Sequence, residues 1–139
     1  MKTTIALILL FHLSVPKLFG CDCLTPEKSV KETYKESDAV FVGKVIGVGA
    51  FYTLLQNAGS YTLVEFEATE IFKGQQKKMI EVLVENTSCG TTFRVGDKDL
   101  LFLFWDATHK KLAYHTCFKR PIPERLAKVE IQELRKMKK

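Results

Sequence analysis

The chain has 139 residues, with 21 lysines and arginines against 16 aspartates and glutamates, a formal net charge of +5. That mild excess, without a stripe of basic residues interleaved with aromatics, argues against a nucleic-acid partner. No serine-elbow motif, phosphate loop or HExxH is present, so the commoner enzyme classes are excluded and the protein reads as a non-enzyme.

Residues 1–20 open with Lys2, continue through the apolar run Ile5-Ala6-Leu7-Ile8-Leu9-Leu10-Phe11, break at Pro16 and end on the small Gly20. This is the pattern of a signal peptide, too short and too interrupted for a membrane span. Cleavage before Cys21 leaves a mature chain, 21–139, suited to one domain, and an exported, secreted or periplasmic location is expected. Lys2 and Lys17 leave with the signal, so 19 basic residues face 16 acidic ones, a net +3. Leu18-Phe19-Gly20-Cys21 admits an alternative reading as a bacterial lipoprotein cleavage site, with Cys21 as a lipidated anchor. Only in that case is a membrane contact expected.

All four cysteines, Cys21, Cys23, Cys89 and Cys117, lie in the mature chain, and an even number in a short exported protein reads as a disulfide framework. A Cys21–Cys23 bridge would close a very small strained ring. Both therefore look outward to Cys89 and Cys117, by either of two pairings. Such long loops stabilise by roughly 4 to 5 kcal/mol each in the chain-entropy picture, as an upper figure.

The sequence then predicts a helix over 26–36, with Thr25 as cap, Pro26 at the first helical position, and Val30 and Tyr34 on its inner face. A glycine-interrupted strand follows over 39–48, bent at Gly43 or Gly47. The turn-forming cluster Gln56-Asn57-Ala58-Gly59-Ser60 marks a long loop over 50–60. Period-two alternation makes 61–72 a strand with Val64, Phe66 and Ala68 on one face. A third strand, 79–85, turns Ile80, Val82 and Val84 inward. The almost continuously apolar 100–105 should be buried on both sides, and 111–118 is a fifth strand. Pro121 and Pro123 then break the sheet pattern, and 123–137 is a helix with Leu126, Val129, Leu134 and Met137 facing the core. The sum is a mainly β fold: a five-stranded antiparallel Greek-key barrel of the OB type, flanked by N- and C-terminal helices and closed by two disulfides.

Several segments carry a family resemblance: the mature Cys21-x-Cys23, Ser37-Asp38-Ala39-Val40-Phe41-Val42-Gly43-Lys44-Val45, Ile71-Phe72-Lys73-Gly74, Ser88-Cys89-Gly90, and Cys117 ahead of Pro121. The chain resembles the N-terminal, netrin-like domain of the tissue inhibitors of metalloproteinases across nearly all of 21–120. The resemblance implies the pairing Cys21–Cys89 and Cys23–Cys117. It also implies a mechanism in which the α-amine and carbonyl oxygen of Cys21 chelate the catalytic zinc of a target metalloprotease. Cys21 would then be the chelating residue, with Asp22, Cys23, Thr87 and Ser88 as target contacts, and the only metal involved would be the target's. Two departures stand out. Members with the full inhibitor architecture carry a third bridge and a second cysteine-rich domain, for which this sequence has no cysteines. Asp22 would bring a carboxylate towards the target's acidic general base, where like charges repel. The alternative function is accordingly a netrin-like interaction module without inhibitory activity.

Lesser readings concern three further sites. Cys21, Cys23, His115 and Cys117 form a CxC plus HxC set that would suit a zinc ion of the protein's own, but export favours oxidised cysteines. His109, in Thr108-His109-Lys110-Lys111, reads as a solvated loop residue. Asn86-Thr87-Ser88 fits the N-glycosylation acceptor pattern.

Overall fold

The structure, a computed structural model, describes Cys23 and residues 26–51, 61–86 and 90–138. Two helices, α1 (Val30–Glu36) and α2 (Lys128–Met137), bracket six strands: β1 (Ala39–Phe51), β2 (Tyr61–Lys73), β3 (Met79–Glu85), β4 (Lys98–Asp106), β5 (Lys111–Tyr114) and the two-residue β6 (Ile122–Pro123). Among the described residues no helix is long and apolar enough to cross a membrane.

The first five strands form a closed ring in the order β1-β2-β3-β5-β4, closed by pairing of β4 with β1. All of its pairings are antiparallel except β3 with β5, where Val82, Leu83 and Val84 run parallel to Leu112, Ala113 and Tyr114. That pair corrects the expectation of an all-antiparallel ring. The sequence from Lys98 to Tyr114 makes a hairpin, β4–β5, and the hairpin closes the ring by setting β5 beside β3 and β4 beside β1. Hydrogen bonding between two hairpins is not encoded in the local pattern of either.

Strand β1 serves both neighbours because it bends. Its register against β2 slips between Val40 and Phe41, Val42 and Gly43, and Val45 and Gly47, so bulges fall around the glycines the sequence marked. At Gly43 a Cβ would sit 2.7 Å from the Phe41 ring and 3.2 Å from Phe66 Cβ, so only glycine lets the two strands approach there. The tight turn from β2 to β3 begins at Gly74, whose φ of 99° lies in the left-handed region.

Two apolar cores result. Inside the ring, Phe41, Val45, Val64, Phe66, Ile80, Val82, Val84, Leu101, Leu103 and Tyr114 pack together, and Phe93, from the connection between β3 and β4, fills the middle. Phe41–Phe66, Phe66–Phe93 and Phe93–Tyr114 make successive edge-to-face contacts at 5.8, 5.5 and 6.0 Å. The Tyr114 hydroxyl meets Thr91 Oγ1 at 3.1 Å, so its polar end is satisfied. Outside the ring, Val40, Val42, Leu100 and Phe102 are covered by Ala127, Ile131 and Leu134, with Val30 and Tyr34 of α1 packed against them. Strands β1 and β4 thus bury both faces, which explains their continuous apolar runs. A bidentate pair, Arg135 Nε to Glu70 Oε1 at 2.9 Å and Arg135 Nη2 to Glu70 Oε2 at 2.7 Å, ties α2 to β2.

Several boundaries differ from the sequence expectation. Helix α1 begins at Val30, not residue 26, because Ser29 forms a capping box with Glu32: the Glu32 amide donates to Ser29 Oγ at 3.3 Å and the Ser29 amide donates to Glu32 Oε2 at 2.9 Å. The signature Ser29-x-x-Glu32 was present in the sequence and outcompetes Pro26. Strand β1 runs three residues past Val48. Strand β5 stops at Tyr114, where a turn over 116–118 begins. Ile122 and Pro123 do not simply break the sheet but pair with Leu100 and Asp99 of β4. Helix α2 starts at Lys128, so its inner stripe is Ala127, Ile131 and Leu134, and Leu126 and Val129 are 60% and 73% exposed. Leu134 and Met137 pack on the core as expected, whereas Leu126 precedes the helix and Val129, five residues and about 140° from Leu134, turns to solvent. On β4, Trp105 is 52% exposed rather than buried.

Candidate functional site

The strand directions bring three strand ends together. β1, β3 and β5 run one way around the ring and β2 and β4 the other. Strands β1, β3 and β5 therefore finish at the same end. Val84 pairs with Tyr114, so β3 leaves towards Asn86 beside β5, which leaves towards His115, Thr116 and Cys117.

Cys23 is joined to Cys117 there, across a sequence separation of 94 and with the two Cα atoms 5.3 Å apart. The turn that presents Cys117 is locally stabilised: Phe118 N–H donates to the His115 carbonyl at 2.9 Å, and Cys117 N–H donates to His115 Nδ1 at 3.1 Å. A neutral His115 ring therefore carries its proton on Nε2. Past the bridge, Lys119 Nζ meets Glu27 Oε1 at 2.8 Å. The hydrogen bond and charge of Lys119 hold the Glu27 carboxyl below its ordinary range, with a smaller contribution from Arg120. Phe104 and Phe118 meet edge to face at 6.2 Å. Between Cys23 and residues 26–28 on one side and residues 115–122 on the other lies an open cleft of about 780 Å³, its apolar wall made by Pro26, Phe104, Phe118 and Ile122.

Of the residues assigned a role from sequence, Cys23 and Cys117 are brought together. Cys21, Asp22, Thr87, Ser88 and Cys89 lie outside the described residues, and with them the pairing Cys21–Cys89. With Cys23 and Cys117 joined in a disulfide, neither sulfur of the CxC plus HxC set is a thiolate able to ligate. Among the described residues no three His, Cys, Asp or Glu side chains converge on a point that could hold a metal ion. Asn86 is exposed, and its Oδ1 accepts from Thr62 Oγ1 at 2.7 Å.

His109 differs from the solvated loop residue expected. Its Nδ1–H donates to Asp106 Oδ2 at 2.7 Å, its side chain is 11% exposed, and its ring lies 4.9 Å from that of Tyr61. Asp106 Oδ1 also accepts from the Thr108 and His109 amides at 2.9 and 3.1 Å. Burial pushes the Asp106 carboxyl up, but these hydrogen bonds outweigh it and hold the group below the ordinary aspartate range. The spacing Asp106-x-x-His109 at a turn was the available sequence signal.

No family model matches this chain, and no curated protein matches it in sequence.

Proposed function

We propose that the protein is a secreted inhibitor-type domain of the netrin-like class that blocks a zinc metalloendopeptidase, with Cys21 as the mature N-terminus. The observation that carries this reading is the Cys23–Cys117 bridge, which fixes the chain two residues from Cys21 at the ring end where β3 leaves towards Thr87 and Ser88. In the proposed fold the ring is an OB-type Greek-key barrel, and a second bridge, Cys21–Cys89, joins the N-terminal residue to that same exit.

A catalytic zinc keeps one position for water, and a two-atom chelate that displaces the water stops hydrolysis. The Cys21 amine and carbonyl oxygen make such a chelate. An α-amino group titrates near pH 7.7 to 8.0, so freeing its lone pair at neutral pH costs little. Anchoring residues 21 and 23 covalently reduces the freedom lost on binding. Asp22 lies at the mouth of the target's specificity pocket, with Thr87 and Ser88 beside it.

Asp22 also favours the second reading, an interaction module that shares the fold without inhibiting, because its carboxylate opposes the target's acidic base. One experiment separates the two. Mature protein with its N-terminal mass verified should slow hydrolysis by zinc endopeptidases, and one alanine added before Cys21 should remove that effect at unchanged melting temperature. Equal potency with the extension overturns chelation, and inactivity of the unextended protein across a broad panel selects the module.

A further inference from the structure

Around the starts of β1, β3 and β5 and the end of β4 lies a groove of about 380 Å³. Its apolar lining is open to solvent: Trp105 is 52% and Met79 53% exposed, and both line the groove. Tryptophan and methionine in such a position are favoured anchors for a protein partner. Trp105 is held in place from behind, since its amide donates to Asp38 Oδ2 at 2.6 Å and its neighbour across the hairpin is Leu112.

The rim is cationic. Lys77 and Lys110 are exposed, and among the described residues neither has a carboxylate partner. Lys111 shares Glu81 at 2.6 Å. Lys73 lies on the same rim and donates to the Tyr34 and Lys35 carbonyls at 3.0 Å each, which fastens the end of α1. Lys110 has a φ of 53°, the left-handed region that costs a non-glycine residue about 1 to 2 kcal/mol. A turn that needed only to reverse the chain would be better served there by glycine or asparagine. Lysine at that position keeps a charge on the rim at a cost to the fold.

We propose that this groove binds an acidic peptide segment of a partner protein, with one apolar side chain against Trp105 and Met79 and carboxylates on either side meeting Lys77 and Lys110. Single-stranded nucleic acid fits less well: it is held by successive stacking aromatics, whereas one aromatic is exposed in this groove and Glu81 adds a carboxylate to its wall. The groove adjoins the disulfide cleft across β4, where Phe104 lines the cleft and its neighbour Trp105 lines the groove.

Trp105 is the only tryptophan of the chain, so its emission reports on this groove alone. The full mature protein is titrated with an acidic decapeptide carrying one central phenylalanine. The expected result is a saturable blue shift, weakened at least about tenfold by the K77E/K110E double variant and by raising salt to about 0.5 M. The same peptide with lysine for its acidic residues should give no shift, and alanine for the phenylalanine should weaken it. Changes made in the peptide leave the protein untouched, so they test the idea even if the variant misfolds. Absence of a saturable shift, equal affinity for the acidic and basic peptides, or tighter binding of a deoxythymidine decamer overturns the proposal.

Discussion

Where β1, β3 and β5 finish, the chain is fastened by a covalent bond, Cys23–Cys117, and by an ion pair whose carboxylate, Glu27, is 83% exposed. Where they start, turns are fastened by short hydrogen bonds to carboxylates: Asp38 to the Trp105 amide at 2.6 Å, and Asp106 to His109 and two turn amides. The difference follows from what each end must hold. At the first end Cys23, which is in no strand, meets Cys117 at a sequence separation of 94, and the crosslink offsets much of that chain entropy. At the second end the segments are close in sequence, or continuous with paired strands, and a few directional bonds suffice.

The contrast yields a graded series of expectations. Replacing both Cys23 and Cys117 by serine should cost up to about 4 to 5 kcal/mol in denaturant unfolding and abolish any inhibition that depends on the N-terminus. A loss under about 1 kcal/mol would mean that the disulfide end is held by packing alone. Asp38→Ala leaves the Trp105 amide without its acceptor and should cost about 1 to 3 kcal/mol, with a red shift of the tryptophan emission. Asp106→Asn should cost about 1 to 2 kcal/mol and also change the pH profile. The Asp106 carboxyl is depressed in the fold below its ordinary 3.8, so its contribution is complete above that value and is lost as pH falls through the lower folded one. Thermal melts between pH 5 and pH 2 should therefore show an acid-labile component that the variant lacks. Glu27→Gln, at the surface of the other end, should change the melting temperature least of all, within the scatter of surface substitutions.

The candidate site was partly legible in the residues. The CxC spacing and the late Cys117 announced a crosslinked N-terminus, and Cys23–Cys117 is one of the bridges expected. The Trp105 groove was not legible, because Trp105 closes an apolar run that reads as buried throughout. It is the ring closure that buries Leu100 to Leu103 between β1, α2 and the interior while the end of β4 runs past β1 and stays open. His109 was hidden for a similar reason: a histidine in a polar turn looks solvated until Tyr61, far away in sequence, packs against it.

By itself the sequence determined what local physics can encode. Alternation sets which faces of β2 and β3 point inward, glycines set the bends of β1, and the Ser29–Glu32 box sets the start of α1. Tertiary structure alone decided that β5 lies parallel to β3, that β1 and β4 close the ring, and that α2 turns Ile131 rather than Val129 to the core. A period of two or 3.6 residues fixes a side chain's direction relative to its own strand or helix. The partner that covers that face is chosen by burial of apolar surface summed over segments remote in the chain.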